Sequence, residues 1–173
     1  MKRVQVDPSV VQIISPVPDE WWPRIWMWMD EFPDNNRDDD GPQDWHALAE
    51  ARADSAMEGE RTFGVLVNGL PVGYLSYAPL NARVAITRGI VFTQAVYGTG
   101  VARIAAEQVL CDVFASGIRK LQATYYTHNI RVAAWLRALG AVEEGCLRDQ
   151  VLQHGRPVSL KVVAIFAPEE PCH

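Results

Sequence analysis

The chain is poor in cysteine, in positive charge and in long apolar runs. Its 173 residues include three cysteines, Cys111, Cys146 and Cys172. That odd number at wide spacings fits neither a disulfide framework nor the CxxC and Cys/His patterns of zinc sites. A reducing compartment and no metal are therefore expected. Sixteen basic residues stand against 21 acidic ones, a net charge of −5, which argues against a general binder of nucleic acid or of anionic membranes, because such proteins concentrate lysine and arginine. The apolar stretch nearest the N-terminus, VVQIISPV, follows a basic MKR start and Asp7-Pro8 and is far shorter than a signal h-region or a spanning helix. The expectation is a cytoplasmic protein with neither nucleic acid nor membrane as partner. Internal repeats and low-complexity tracts are also missing.

What is present reads as an ordinary globular domain. With 49% hydrophobic and 21% charged residues the chain is too apolar to be disordered, and its length suits one domain spanning residues 1–173. The charge is unevenly placed. DEFPDNNRDDDGPQD, from Asp30 to Asp44, sets seven acidic residues against Arg37, so this segment carries −6 and the rest of the chain +1. Its prolines, asparagines and glycine predict a loop rather than helix or strand.

Around that loop the periodicities alternate. Val10 to Val17 reads as a strand, EWWPRIWMWMDEF as a short tryptophan-rich helix, and PQDWHALAEARADSAMEG as a second helix with Pro42 near its start and Gly59 past its end. TFGVLVNG and LPVGYLSYAPL form a hairpin through Asn68-Gly69, and ARVAITRGIVF follows as a third strand. VARIAAEQVLCDVFAS turns to helical period, with Arg103 and Glu107 on a polar face and Ala102, Ala105, Val109 and Val113 opposite. KLQATYY is a strand. Asn129 opens a helix whose Val132, Trp135, Leu136 and Leu139 fall on one face, ending at Gly140. AVEEGCLRDQVLQ and VSLKVVAIF are two last strands around His154-Gly155. The fold class is α+β: a mostly antiparallel mixed sheet of six to seven strands flanked by helices.

Chemistry concentrates in GIVFTQAVYGTGVARIAAE. A strand ending at Phe92 runs through Gly98 and Gly100 into a helix beginning near Val101. A helix start leaves unpaired N–H groups with partial positive charge, and glycines let the backbone curl around an anion, so this is a candidate phosphate cradle. A plainer reading is a strand-to-helix turn. It is not a Walker loop, which needs Lys-Ser/Thr, and not a dinucleotide fingerprint, whose third glycine would fall where Arg103 stands.

Here the chain resembles the GNAT superfamily of acyl-CoA-dependent N-acyltransferases. The family's Arg/Gln-x-x-Gly-x-Gly/Ala motif falls on Tyr97-Gly98-Thr99-Gly100-Val101-Ala102, with Gly100 and Ala102 matching and Tyr97 departing at the first position. Asn129 and the ending Leu139-Gly140-Ala141 are similar to the family's Asn…Leu-Gly-Phe segment. Glu144-Gly145-Cys146-Leu147-Arg148 resembles the Glu-Gly-x-x-Arg strand of the ribosomal-protein N-terminal acetyltransferase branch.

The resemblance implies a GNAT fold with the sheet splayed in the middle and acetyl-CoA as co-substrate. The amides of Tyr97, Gly98, Thr99, Gly100, Val101 and Ala102 would hold the pyrophosphate, Ile90, Val91 and Phe92 would pair with the pantetheine arm, and Asn129 would lie beside it. The N–H of Phe92 or Val91 would polarise the acyl carbonyl. The tyrosine acid of many relatives falls on Leu136, and the strand before the cradle offers Arg83 and Arg88 where relatives carry a glutamate. Glu144 and His128 are the catalytic candidates, with Tyr126 and Asp149 behind them. Most tryptophans of the first helix read as core, with Trp21, Trp28 or Trp45 as lesser candidates for the acceptor side.

The expected function is transfer of acetyl from acetyl-CoA to a primary amine, on a small molecule or a peptide. A GNAT-shaped module with reduced catalysis is the alternative, and binding of another phosphorylated ligand is a third. The −6 segment favours a cationic acceptor by electrostatic steering, while Arg83 or Arg88 would welcome a carboxylate or phosphate if either pointed into the cleft. A homodimer is left open.

Overall fold

The computed structural model describes residues 6–169. Seven strands form one sheet: β1 (Val11–Ile14), β2 (Arg61–Val67), β3 (Leu70–Pro79), β4 (Val84–Phe92), β5 (Lys120–Tyr126), β6 (Val142–Gln153) and β7 (Arg156–Phe166). Their order is β1-β2-β3-β4-β5-β7-β6. All neighbours are antiparallel except β4 and β5, which are joined through a helical crossover and run parallel. The helices are α1 (Trp22–Asp30), α2 (Pro33–Asn36), α3 (Trp45–Met57), α4 (Val101–Ala115) and α5 (Ile130–Ala138). The α+β class and the splayed mixed sheet are as the sequence led one to expect.

Local signals account for most boundaries. Asn68 and Gly69 take φ of 52° and 77°, and His154 and Gly155 take 51° and 68°, the positive values that two-residue hairpins of matching twist demand. The strand expected from Val10 to Val17 shortens to β1, since Pro16 has no N–H to give a ladder. Asn129 caps α5, its Oδ1 accepting the Val132 N–H at 3.2 Å. Asp44, rather than Pro42, opens α3: its carboxylate accepts the Ala47 N–H at 2.8 Å. The segment from Asp30 to Asp44, expected to be loop throughout, contains the one-turn helix α2, with Pro33 at the first helical position where its missing N–H is harmless.

Alternation along the central strands sends residues to two cores. Leu75, Tyr77, Ala85 and Phe92 pack with Val101, Ala105, Val109 and Val113 of α4 on one face. Tyr74 and Val91 pack on the other with Trp21, Trp22, Ile25, Trp28 and Met29, and with Leu48 of α3. Ile25 is fully buried, which for a side chain of its size stabilises the fold by ~1.5–3 kcal/mol. Trp22 meets Tyr74 edge to face, ring centroids 5.6 Å apart. The tryptophans therefore anchor α1 to the sheet, as their helical spacing suggested. Cys146 is an exposed free thiol, Cys111 is exposed, and Cys172 lies outside the described residues.

Candidate functional site

Strands β4 and β5 pair only at Val84–Lys120, Ala85–Leu121 and Ile86–Gln122. Past these pairs β4 stays with β3 and β5 stays with β7, so the two strands part. Among the described residues the edge of β4 facing the gap has no strand partner, and an unpaired strand edge is a template for an extended ligand. A bulge sits at the same place. Ser76 faces Gly89 while Tyr77 faces Thr87, so Arg88 is the extra residue of β4. Gly89 is required beside it, because a Cβ there would lie 2.4 Å from the Tyr74 ring.

At the end of β4 the chain makes a short 3-10 turn, Gln94–Val96, before entering α4. Glu31, just past α1, holds this turn: its carboxylate accepts from the Thr93 hydroxyl at 3.0 Å and from the Gln94 N–H. Gly98 has φ of 76° and Gly100, the N-cap of α4, has φ of 91°. A Cβ on either would meet nothing within 4 Å among the described residues, so these leave the stretch open. The Arg103 and Ile104 N–H groups bond the Gly100 carbonyl at 3.1 and 3.0 Å. Those of Gly98, Gly100 and Ala102 have no acceptor among the described residues. The donor set of a 15-residue helix start fits a pyrophosphate.

Arg131, in the first turn of α5, reaches across to this cradle. Its guanidinium lies 4.8 Å from the Phe32 ring and 5.5 Å from the Tyr97 ring, and the two rings stack at 5.5 Å. Sequence reasoning missed Arg131, since nothing local links it to residue 97.

A cavity of about 320 Å³ opens beside the parted strands, between them, α1, α3 and the acidic segment. Ile90, Val91 and the buried Asn129 line it, together with Tyr126, Asp38, Arg52 and Arg88. The Tyr126 hydroxyl donates to Asp38 Oδ2 at 3.0 Å, and the Asp40 N–H donates to Asp38 Oδ1 at 3.2 Å. Burial, and after it the neighbouring Asp38 carboxylate, push the Tyr126 phenol well above its usual range, so it stays protonated and donates. Burial also pushes Tyr74 up to about 12, and its hydroxyl donates to Ser76 Oγ at 2.8 Å. Arg52 gives Nη1 to both oxygens of the buried Glu60, at 2.9 and 3.1 Å.

The acidic segment forms the outer wall because it is clasped to the β6–β7 hairpin. Asp39 accepts from the His154 and Gly155 N–H groups at 3.0 and 2.8 Å. Asp34 pairs with His154 at 2.8 Å, a bond that raises the imidazole above its ordinary value. Gln153 donates to the carbonyls of Asp34 and Arg37 at 3.0 and 2.6 Å. Asp30 pairs with Arg37, and Asp44 caps α3. Most of the seven acidic groups are thus engaged within the protein.

Two of the candidate catalytic residues are not among those lining the cavity. Glu144 pairs with Lys120 at 2.6 Å. Lys120 and Tyr126 are the first and last residues of β5, about 20 Å apart at the strand rise of ~3.3 Å per residue, so Glu144 is tied to the closed end of the strands. His128 is exposed, stacks on Tyr126 and bonds the Asp34 carbonyl at 2.9 Å; like Glu144 it is not among the residues lining the cavity. Asp149 is exposed on β6, and Arg83 stays at the closed start of β4. Trp21 and Trp28 belong to the core, Trp45 stacks on His46, and none of the three lines the cavity. Arg88 does.

The model of the Acetyltransferase (GNAT) family matches residues 18–141, and this chain belongs to that family. Its fold is shared with a ribosomal-protein-alanine N-acetyltransferase from Brucella melitensis, at 16% identity and TM-score 0.75 over 90% of this chain and 99% of that one. Mycobacterium smegmatis RimJ, solved in complex with CoA-disulfide, is 23% identical with TM-score 0.79 over 97% and 87%. The yncA protein of Salmonella typhimurium, solved with its cofactor acetyl-CoA, is 14% identical with TM-score 0.74 over 94% and 97%. No curated protein matches the sequence. No helix among the described residues is long and apolar enough to cross a membrane.

Proposed function

We propose that this protein transfers an acetyl group from acetyl-CoA to a primary amine by direct attack. The observation that carries this reading is the parting of β4 and β5 after three residue pairs, with an open glycine cradle at the end of β4. Bound acetyl-CoA would supply an activated thioester. Within the stretch Tyr97, Gly98, Thr99, Gly100, Val101 and Ala102, the open N–H groups would hold the pyrophosphate. The edge formed by Ile90, Val91 and Phe92 would pair with the pantetheine arm, and the N–H of Phe92 or Val91 would stabilise the oxyanion. Asn129 spends its oxygen on the α5 cap, so its amide donors are what it offers the arm.

Arg131 restores a cation where Tyr97 has replaced the Arg or Gln of the family motif. Charge-assisted bonds to phosphate are worth ~1.5–3 kcal/mol. Arg131→Ala should therefore weaken acetyl-CoA binding about tenfold or more, with kcat at saturation within about twofold of the parent. Calorimetric titration checks this, and an unchanged Kd removes Arg131 from the site.

Asp38 is the acidic side chain that lines the cavity, fixed by Tyr126 and by the Asp40 N–H. An alkylamine of pKa ~10 must shed a proton before attack. Asp38 accepts that proton, the nitrogen lone pair forms the C–N bond, and the C–S bond breaks with its electron pair on sulfur. The second amine proton ends on the thiolate, whose ordinary pKa of ~8.5 makes a strong acid unnecessary. Glu144→Gln is accordingly expected to leave turnover within about twofold of the parent, whereas a loss of a hundredfold would return Glu144 to the reaction.

The test is free-thiol release from acetyl-CoA across a panel of primary amines, alongside thermal stabilisation by acetyl-CoA alone. Stabilisation with amine-dependent thiol release supports the reading. Stabilisation without release across the panel favours a binding module, and no stabilisation removes the CoA assignment.

A further inference from the structure

Among the described residues, three arginines and one acidic residue line the cavity, and this balance of charge bears on the acceptor. Arg52 and Arg88 both line the cavity, as does Tyr74, on whose phenol Arg52 acts. Arg88 is exposed at the β4 bulge and makes no ion pair among the described residues. Arg52 spends Nη1 on Glu60, and its buried Nε has no hydrogen-bond partner among the described residues. The third arginine of the lining, Arg37, is neutralised by Asp30 and lies 4.5 Å from the Trp26 ring. Asp38, held by Tyr126, lines the same cavity.

We propose that the acceptor is a small amino acid, whose carboxylate is held by the Arg88 and Arg52 guanidinium groups and whose amino group faces Asp38. This rests on the acetyl-transfer reading above and names the substrate class of that site. A polycation would need several carboxylates inside the cavity, and the lining offers one. The acidic segment that suggested cation steering spends Asp30, Asp34, Asp39 and Asp44 on Arg37, His154, the hairpin backbone and the α3 cap. A volume of about 320 Å³, at the low end for ligand sites, suits a single small molecule rather than a peptide. Guanidinium is the side-chain group matched to a carboxylate in shape and charge. The reaction conserves this group: a C–N bond forms at the amine, the C–S bond breaks, and the carboxylate leaves unchanged in the N-acetyl amino acid.

The experiment compares free-thiol release for the common amino acids with that for each one's decarboxylated amine and its carboxamide, with spermidine as the polycation and 2-aminoethyl phosphate as an alternative anion. Calorimetry with acetyl-CoA alone runs beside it. The expected result is at least one amino acid whose kcat/KM exceeds that of its amine and its amide by about 30-fold or more, as for truncation of a charged pair in a closed site. Arg88→Gln should bring that ratio to within about threefold by lowering the rate on the acid alone, with the acetyl-CoA Kd unchanged. Equal or faster turnover of the amines or spermidine overturns the proposal. So does an unchanged ratio in Arg88→Gln, turnover of 2-aminoethyl phosphate alone, or acetyl-CoA binding without turnover of any amino acid. Absence of acetyl-CoA binding would instead defeat the transferase reading beneath it.

Discussion

Replacing Gly100 with valine is expected to remove acetyl-CoA binding while leaving the protein folded. Two effects act together. Gly100 has φ of 91°, a region that β-branched residues avoid, and forcing one to hold it costs ~1–3 kcal/mol. The side chain would also project into the space where no atom of the described residues lies within 4 Å of an added Cβ and where the pyrophosphate would have to approach the helix N–H groups. A backbone that relaxes out of the left-handed region would turn those same N–H groups away. A loss of a hundredfold or more in affinity is expected by calorimetric titration, with the cooperative thermal transition preserved. Gly100→Ala should fall between the two. A folded Gly100→Val variant with parental affinity would show that the anion binds elsewhere.

The second large effect is expected at Asp38. Asparagine keeps one oxygen to accept from the Tyr126 hydroxyl and gives up the exposed Asp40 N–H bond, which Asp38 accepts on its other oxygen, so Asp38→Asn holds the tyrosine while removing the proton acceptor. Turnover at neutral pH should fall by 10²–10⁴, the usual range for a general base, with acetyl-CoA affinity within about twofold. The pH profile separates this from a structural defect. Without an internal base the rate follows the fraction of acceptor already neutral, so log kcat/KM should rise about one unit per pH unit up to the pKa of the acceptor amine. A variant that is slow at every pH would point to lost positioning. One that keeps the parental rate would free Asp38 from the chemistry.

Much of this arrangement can be read from the sequence because it is local. KLQATYY is β5 residue for residue, Asn129 caps α5, and the positive-φ pairs at Asn68-Gly69 and His154-Gly155 close their hairpins. The glycine stretch could be placed on a helix start because a strand, a turn and a helical period follow one another within a few residues. What the sequence does not show is non-local. Asp39 meets His154 across 115 residues of chain, and no pattern within the acidic segment distinguishes a clasp from a solvated loop. Arg88 enters the cavity wall at a bulge defined by its register with Ser76 and Tyr77, which a strand alternation alone does not reveal. Glu144 sits at another break in register, between Glu143 and Gly145, and its partner Lys120 lies on a strand that is not its neighbour. Arg131 meets Phe32 and Tyr97 from three separate elements.

The most direct test of the account is backbone amide NMR of the ¹⁵N-labelled protein titrated with acetyl-CoA. The account predicts that the largest shifts fall on Gly98, Gly100 and Ala102 and on Ile90, Val91 and Phe92, with smaller ones at Asn129 and Arg131, and that Glu144 and Lys120 stay in place. Shifts absent from the glycine stretch and the free edge of β4, or concentrated on other surfaces, would contradict it.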